Sequence, residues 1–344
     1  MILGDFYQDG HQQNSVFAEE DAVHRYNPTS MQRALRNALL ERGIEINTPD
    51  VNQGRSVDFA LHVEGRALPT APAHRFLLAL ENPHINTLND SRDYIQQFDR
   101  VFTWNPKFYD LPNVTPVLIP NGLEWKSFAP FSERDAFSCL INANKHFPVK
   151  LETDLYQERL NVIRWYQRHA PDAFDLYGIG WNKPARGIGW QSNLNRRLQR
   201  LGTQVFGYRP FPSYRGEVKD KADVYARYRF AFCYENVVNL TNYVTEKMID
   251  CLLVGCVPIY WGADNVTELV PAECFIDRRA FSDTADLHRY LLSVDAARYT
   301  QYQEAIAAFR NSEAAQLFSN RHYVTTVADG ITESLRAARR QPSA

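Results

Sequence analysis

The stretch from Tyr228 to Gly262, YRFAFCYENVVNLTNYVTEKMIDCLLVGCVPIYWG, constrains the fold more tightly than any other part of the chain. Phe230 to Tyr234 is a short apolar and aromatic run of the kind that fills a buried parallel strand, and it stops at Glu235 and Asn236. A polar loop from Val237 to Asn242 precedes Met248, Ile249, Leu252 and Leu253 at helical spacing, and Gly255 followed by Pro258 stops the helix. Val257 to Trp261 returns as a strand. Strand, loop, helix, strand is a βαβ unit of an α/β fold.

Its polar residues gather at one edge. Glu235 and Asn236 stand at the carboxyl end of a strand, and Tyr243, Thr245, Glu246 and Lys247 at the start of the following helix. In an open α/β sheet that edge is where ligands bind. A helix start offers unpaired N–H groups and about half a positive charge, which suits a phosphate, and Lys247 adds a full charge. Glu246 would repel a phosphate and is better matched to a neutral diol such as a ribose, whose two hydroxyls a carboxylate accepts from together. Taken without the rest of the string, the same residues read more readily as a solvated first turn with Glu235 a strand-end charge, since most charged helix starts are merely solvated.

The full string resembles the signature of the α1,3/4-fucosyltransferases, the family 10 glycosyltransferases, and of their bacterial members in particular. It is carried by Glu235, Asn236, Tyr243, Val244, Thr245, Glu246, Lys247, Val257, Pro258, Ile259, Tyr260, Trp261 and Gly262. About a dozen positions matched in order rarely arise by chance. The resemblance implies a GT-B-like α/β architecture, two doubly wound Rossmann-like domains facing a cleft, and an inverting transfer of L-fucose from GDP-β-L-fucose to an acceptor oligosaccharide or glycolipid, with no cofactor required. Within it, Tyr243 and Glu246 fall at the donor's ribose, Asn236 and Lys247 at its diphosphate, and Glu235 and Thr245 among the donor-binding residues.

Two further segments join the resemblance. Glu81, in Ala79-Leu80-Glu81-Asn82-Pro83 directly after the run Arg75–Leu80, is a carboxylate at a strand's carboxyl end, where it can face a cleft. It matches the family's general base, although Leu80 stands where the family usually has glycine. A glutamate before Asn-Pro can equally start a turn. After the strand Phe137 to Ile141 come Asn142, Asn144 and Lys145, where the family has a serine-asparagine pair and this chain has Ala143-Asn144, so Asn144 carries over as a donor-binding residue. On the helix containing Leu155, Val162, Ile163 and Tyr166, Arg159 falls where the family has an arginine reaching the diphosphate. Guanidinium can hold two phosphate oxygens at once.

Elsewhere the first part alternates helix and strand. Pro28, Thr29 and Ser30 precede a helix with Met31, Leu35, Ala38 and Leu39 on one face, Thr29 and Gln32 at capping-box spacing, and Gly43 at its end. Strands are expected at residues 44–46, 57–63, 76–80, 101–104 and 117–119. A polar segment, 121–135, reads as a linker, giving an acceptor-binding domain over 1–130 and a nucleotide-sugar domain over 131–344. FDLYGIGWNKPARGIGW carries two Gly-Ile-Gly-Trp repeats, but the third glycine of a dinucleotide loop is missing, so a tight turn after the strand 174–177 is expected, with Lys183 or Arg186 near a phosphate. Residues 192–200 read as a surface excursion. Beyond the central motif the pattern gives a short helix at 265–270, a last strand at 274–276, helices at 285–292, 297–309 and 314–335, and a frayed basic end.

Composition bounds the rest. At 344 residues the chain suits two domains. A net charge of -2 with a pI near 6.5 gives no electrostatic footprint for nucleic acid. The most apolar stretch, Cys251 to Ala263, is broken by Gly255 and Pro258 and falls short of the ~20 residues needed to span a bilayer. No signal peptide is evident in MILGDFYQDG, and a cytoplasmic location is expected. The terminal arginines bring weak peripheral contact with an anionic inner membrane face within reach at ~1 kcal/mol per cation. Five cysteines without regular spacing sit mostly in apolar runs and read as buried thiols. No D-x-D, H-E-x-x-H, G-x-S-x-G or Walker pattern is present. The site is expected to work without a metal, the leaving diphosphate being neutralised by Arg159, Lys247 and helix N–H groups. Two rivals stay open: a transferase of the same fold using another nucleotide sugar, and a GDP-sugar-binding protein without activity. An oxidoreductase lacks a complete glycine loop.

Overall fold

The computed structural model describes residues 1–18, 30–185, 197 and 209–340. Thr29, Arg186, the second Gly-Ile-Gly-Trp repeat and nearly all of 192–200 lie outside the described residues. The chain divides into two compact units, Met1–Gly122 with Gln316–Ala344, and Leu123–Ala315.

Each unit holds one six-stranded sheet with every neighbouring pair parallel. In the first unit the strands β1 (Ile2–Tyr7), β2 (Ile44–Asn47), β3 (Phe59–Val63), β4 (His74–Ala79), β5 (Arg100–Thr103) and β6 (Val114–Pro116) lie in the order 2-1-3-4-5-6. The second is built from β7 (Ala136–Ile141), β8 (Phe174–Tyr177), β9 (Tyr214–Gly216), β10 (Tyr228–Tyr234), β11 (Val257–Trp261) and β12 (Ile276–Asp277) in the order 12-11-10-7-8-9. Strands buried on both faces need near-continuous apolar sequence, and β10 is buried at every position but Arg229.

The order of the second sheet reverses between β7 and β10, because β8 and β9 extend one way from β7 and β11 and β12 the other way from β10. A reversal of strand order opens a crevice at the carboxyl ends of the two strands flanking it. Asn142 and Asn144 follow β7, and Glu235 and Asn236 follow β10. The first sheet reverses between β1 and β3, with the end of β4 next in line.

Most expected elements form within a few residues of their expected bounds. Three differ. β1, the strand beside the first reversal, was not anticipated, since Gly4 and Asp5 interrupt its apolar run. A Cβ at position 4 would overlap the Phe59 ring, so the glycine is what lets β1 and β3 pair in register. The fifth expected strand of this half, 117–119, lies instead at Val114–Pro116.

The third difference concerns the domain division. The units meet at 122/123 instead of 130/131, and the end of the chain returns to the first unit. The expected helix 314–335 is two helices, Glu313–Gln316 and Asn320–Arg340, and the second stays helical to Arg340 where a frayed end was expected. Its face of Tyr323, Val324, Val327, Ala328, Ile331 and Leu335 joins Leu35 and Leu39 of the helix Ser30–Glu41 in the first unit's core. Apolar area drives this docking at roughly 25 cal/mol per Å², and periodicity alone cannot say which core such a face will join. No helix among the described residues is long and apolar enough to cross a membrane. The five cysteines are buried and unbridged, as expected.

Ile331 has no exposure and sits mid-face. Ile331→Ala should therefore cost about 2–5 kcal/mol, the range for deleting a buried aliphatic side chain. The check is urea unfolding followed by a probe in the first unit; a loss below 1 kcal/mol would show that the helix is peripheral to that core.

Candidate functional site

The site at the second reversal is built around a carboxylate with no access to water. Glu235 is wholly buried, its backbone N–H donates to Trp261 O at 2.8 Å, and its side chain turns inward beneath the loop that follows β10. Oε1 accepts the Thr245 backbone N–H at 2.8 Å; Oε2 accepts the Thr245 hydroxyl at 2.8 Å and Lys247 Nζ at 3.1 Å. Gly262 permits this, because a Cβ there would overlap Glu235 Cγ and the Tyr260 ring. Tyr260 in turn donates to Tyr243 O at 3.3 Å and accepts from Ala263 N at 3.0 Å, closing the loop from the other side.

Thr245 caps the helix Glu246–Leu252, and its hydroxyl also meets Lys247 Nζ at 2.9 Å. Burial works against the Lys247 ammonium, but Glu235 and Glu246 outweigh it and hold its pKa above the usual lysine value. Burial likewise opposes the Glu246 carboxylate, and here Lys247 and Lys221, with Thr245, win and bring it down to about 2. Glu246 lies 3.6 Å from Lys247 and 3.9 Å from Lys221 with its side chain 38% exposed, so it is an ionised acceptor that a ligand can reach.

Arg159, on the helix Leu155–His169, is 2% exposed. Nη2 donates to Tyr234 O at 2.5 Å and Asn236 Oδ1 at 3.2 Å. With the Asn142 amide oxygen turned toward it, Nη1 and Nε each donate at 3.1 Å. All three guanidinium nitrogens are thus engaged, and the cation ties the end of β10 to the residue after β7. Burial pulls its pKa down, opposed by Tyr156, over whose ring it sits at 4.7 Å, and by Glu235 and Glu246. Asn144 Nδ2 donates to Gly180 O at 3.0 Å and Lys183 O at 3.1 Å, so it fastens the turn after β8. That turn has the expected form: Gly178 and Gly180 both have positive φ, and a Cβ at Gly178 would strike Asn142 O.

The structure therefore brings Arg159, Glu235, Asn236, Thr245, Glu246 and Lys247 together, with Tyr243 buried behind them and Asn144 one loop away. Two members escaped sequence reasoning. Lys221 reaches Asp250 at 2.8 Å, and burial raises the Asp250 carboxyl against that pairing. The available signal was Asp250 itself, a carboxylate one turn after Glu246 among the apolar residues of a short helix.

Glu81 lies in the first unit, at the end of β4. Its Oε1 accepts from Asn82 N at 2.9 Å and Asn82 Nδ2 at 2.8 Å, and the Asn-Pro turn forms, with Ile85 N donating to Asn82 O at 3.0 Å. Beside it, at the end of β3, stands a residue the sequence did not single out. Glu64 accepts the backbone N–H groups of Leu80 and Glu81 and the amide of Asn89. Burial pushes its carboxyl up to about 7; the Asn89 and Glu81 hydrogen bonds pull back, and the nearby Glu81 charge adds to the rise.

The fold is that of GT-B glycosyltransferases. A crystal structure of an α1,3-fucosyltransferase aligns over 96% of this chain and 90% of its own with a TM-score of 0.51 and 13% identity. A sucrose-phosphate synthase from Thermosynechococcus elongatus aligns over 98% and 99% with a TM-score of 0.58 and 10% identity. Residues 191–336 match the profile for glycosyltransferase family 10 (fucosyltransferase), C-terminal. The chain is 38% identical over 79 residues to an α-(1,4)-fucosyltransferase of Arabidopsis thaliana, and 35% identical over 77 residues to the α-(1,3)-fucosyltransferase FucT of Helicobacter pylori. Each match covers 22% of this chain, and 20% and 16% of those relatives.

Two outcomes follow from the burial of these carboxylates. Glu235→Ala strands the Lys247 ammonium and the Thr245 donors, and should cost about 3–5 kcal/mol as removal of one partner from a buried pair does; an unchanged thermal midpoint would refute the role. For Glu64, a folded pKa near 7 against an ordinary 4.5 means that the unfolded chain gives up its proton first. Its contribution to stability is complete below pH 4.5 and is lost as pH rises through 7. Wild type should lose stability relative to Glu64→Gln across that window, and parallel pH profiles would contradict this.

Proposed function

We propose that the protein is an inverting fucosyltransferase that moves L-fucose from GDP-β-L-fucose to a hydroxyl of an acceptor glycan and forms an α1,3-fucoside. The observation that carries the reading is the Glu235–Thr245–Lys247 cluster at the strand-order reversal, lying inside the segment that matches family 10. Glu246, ionised and reachable, accepts from the ribose hydroxyls beside Tyr243. Lys247, presented by Glu235 and Thr245, faces the diphosphate with Asn236. Arg159 contributes its charge from behind the loop, since its N–H groups hold Tyr234, Asn236 and Asn142. Asn144 acts through the turn it fastens.

In the reaction the acceptor oxygen bonds to the fucose anomeric carbon as the bond from that carbon to the β-phosphate oxygen breaks. The electron pair leaves with GDP, and Glu81 takes the acceptor's proton. Charge developing on the leaving diphosphate is met by Lys247 and by nearby N–H donors, the kind of preorganised stabilisation that dominates such steps. For the acceptor, N-acetyllactosamine is the first probe, because a mouse relative 33% identical over 69 residues is named a 4-galactosyl-N-acetylglucosaminide 3-α-L-fucosyltransferase. Lipopolysaccharide and capsule precursors belong in the same screen.

Thermal unfolding with GDP, UDP, ADP and CMP in parallel tests the donor. A nucleotide at 100 times its Kd should add about 2.7 kcal/mol, and GDP alone is expected to shift the midpoint. A shift with UDP instead would leave the fold standing and transfer the reading to another nucleotide sugar. Binding of GDP-fucose without transfer to any acceptor would make the protein a binder.

A further inference from the structure

The Leu80–Glu81 segment is held to an unusual degree for a strand-end loop. Four backbone groups, both N–H and both C=O, are taken by side chains. Glu64 Oε1 accepts Leu80 N at 3.3 Å and Glu81 N at 3.1 Å, and Oε2 accepts Glu81 N again at 3.0 Å. Trp104 Nε1 donates to Leu80 O at 2.7 Å, and Asn89 Nδ2 donates to Glu81 O at 3.0 Å. The same Asn89 amide bonds Glu64 Oε2, and Asn89 Oδ1 accepts from Gly65 N at 2.8 Å. Loops at sheet edges usually leave such groups to water.

Glu64 reaches across from the neighbouring strand by adopting a φ of 64°, a conformation costly to a residue with a side chain. Gly65 behind it has no room for a Cβ, which would overlap Leu88. A strained backbone and a half-buried carboxylate at one position are two costs that packing alone does not repay. Both recur where a geometry must be preorganised.

We propose that Glu64 is a positioning residue for Glu81: by clamping the two peptide N–H groups that carry the base, it sets where the Glu81 carboxylate points. The inference rests on the reading of Glu81 as the base. It also accounts for Leu80 in place of the family's usual glycine, since the loop takes its shape from side chains that bind its backbone. Both Glu64 oxygens accept hydrogen bonds, so glutamine is not equivalent. Above pH 7, where Glu64 is ionised and both oxygens are acceptors, one end of an amide would set a donor against a donor. The groups facing the Glu64 carboxylate are Glu81 and Asn89, with the Tyr323 phenol near enough to be raised further by its charge.

The test is a double-mutant cycle on fucose transfer from GDP-fucose, with N-acetyllactosamine and with water as acceptors, since either gives its proton to the same base. Glu81→Gln should lower kcat by about 10²- to 10⁴-fold. Glu64→Gln should lower it by about 10- to 100-fold, as a displaced group does, with KM for GDP-fucose and the GDP-induced thermal shift within about twofold of wild type. The double variant should be no slower than Glu81→Gln alone, because Glu64 acts only through Glu81. Multiplying losses in the double variant, or a wild-type rate in Glu64→Gln, would overturn the inference while leaving the base in place. A wild-type rate in Glu81→Gln would remove the base reading and this inference with it. Should Glu64→Gln fail to fold, Asn89→Ala releases Glu81 O from the same clamp and is held to the same pattern, additivity again overturning it.

Discussion

Glu235 is the contact on which the second unit's polar edge depends. An isolated carboxylate in a protein interior is costly, and it survives there only when its acceptor sites are filled and a cation is close. Thr245 fills two of those sites and Lys247 a third. The consequence runs outward. Thr245 is pinned as a cap, so the helix starts where it does, and Lys247 is held against that start instead of extending into solvent. Glu246 is then left at the surface between two cations. A single inward-facing side chain thus decides which neighbours can meet a ligand.

Buried cations perform the complementary task. Arg134, 1% exposed, donates to the carbonyls of Ala129, Tyr225, Tyr228 and Val254 at 2.7–3.0 Å, fastening the segment that opens the second unit to the start of β10 and the turn before β11. Arg159 treats Tyr234 O the same way at the opposite end of β10. Arginine suits this because its planar fork serves several acceptors without losing its charge. Carbonyls that leave a parallel sheet at a strand end would otherwise be buried without partners.

Reading from sequence succeeded where the constraint is local and failed where it is not. The run Phe230–Tyr234, the stop at Gly255 and the return at Val257 are set by residues a few positions apart, and the gathering of polar residues around them was legible for that reason. Which way each charge faces was not. Glu235 and Glu246 are one residue type in one motif, yet one is wholly buried and the other half-exposed, a difference set by the room Gly262 leaves beside β11. β1 was hidden by Gly4 and Asp5, whose reasons are the Phe59 ring and the Asn52 amide, more than forty residues away. The helix Asn320–Arg340 was visible as a helix, but its apolar face carries no mark of the core it joins.

Glu64 and Glu235 solve the same problem in two sheets. Each stands just past the end of a strand and accepts from the backbone of a later loop, Glu64 from the N–H groups of Leu80 and Glu81 and Glu235 from that of Thr245 together with its hydroxyl. A glutamate has the reach for this, and its two oxygens can hold two consecutive donors where a hydroxyl could hold one. The arrangement has a consequence for interpreting mutations. A residue that binds a ligand and a residue that holds the binder can lose activity to the same extent, so rate alone does not separate them. They differ in stability and in coupling: the holder loses both its burial and its partner's position, whereas the group it holds loses only its own contacts. For a chain whose polar edges are built on buried carboxylates, conspicuous mutational losses will therefore fall on residues that never touch a substrate.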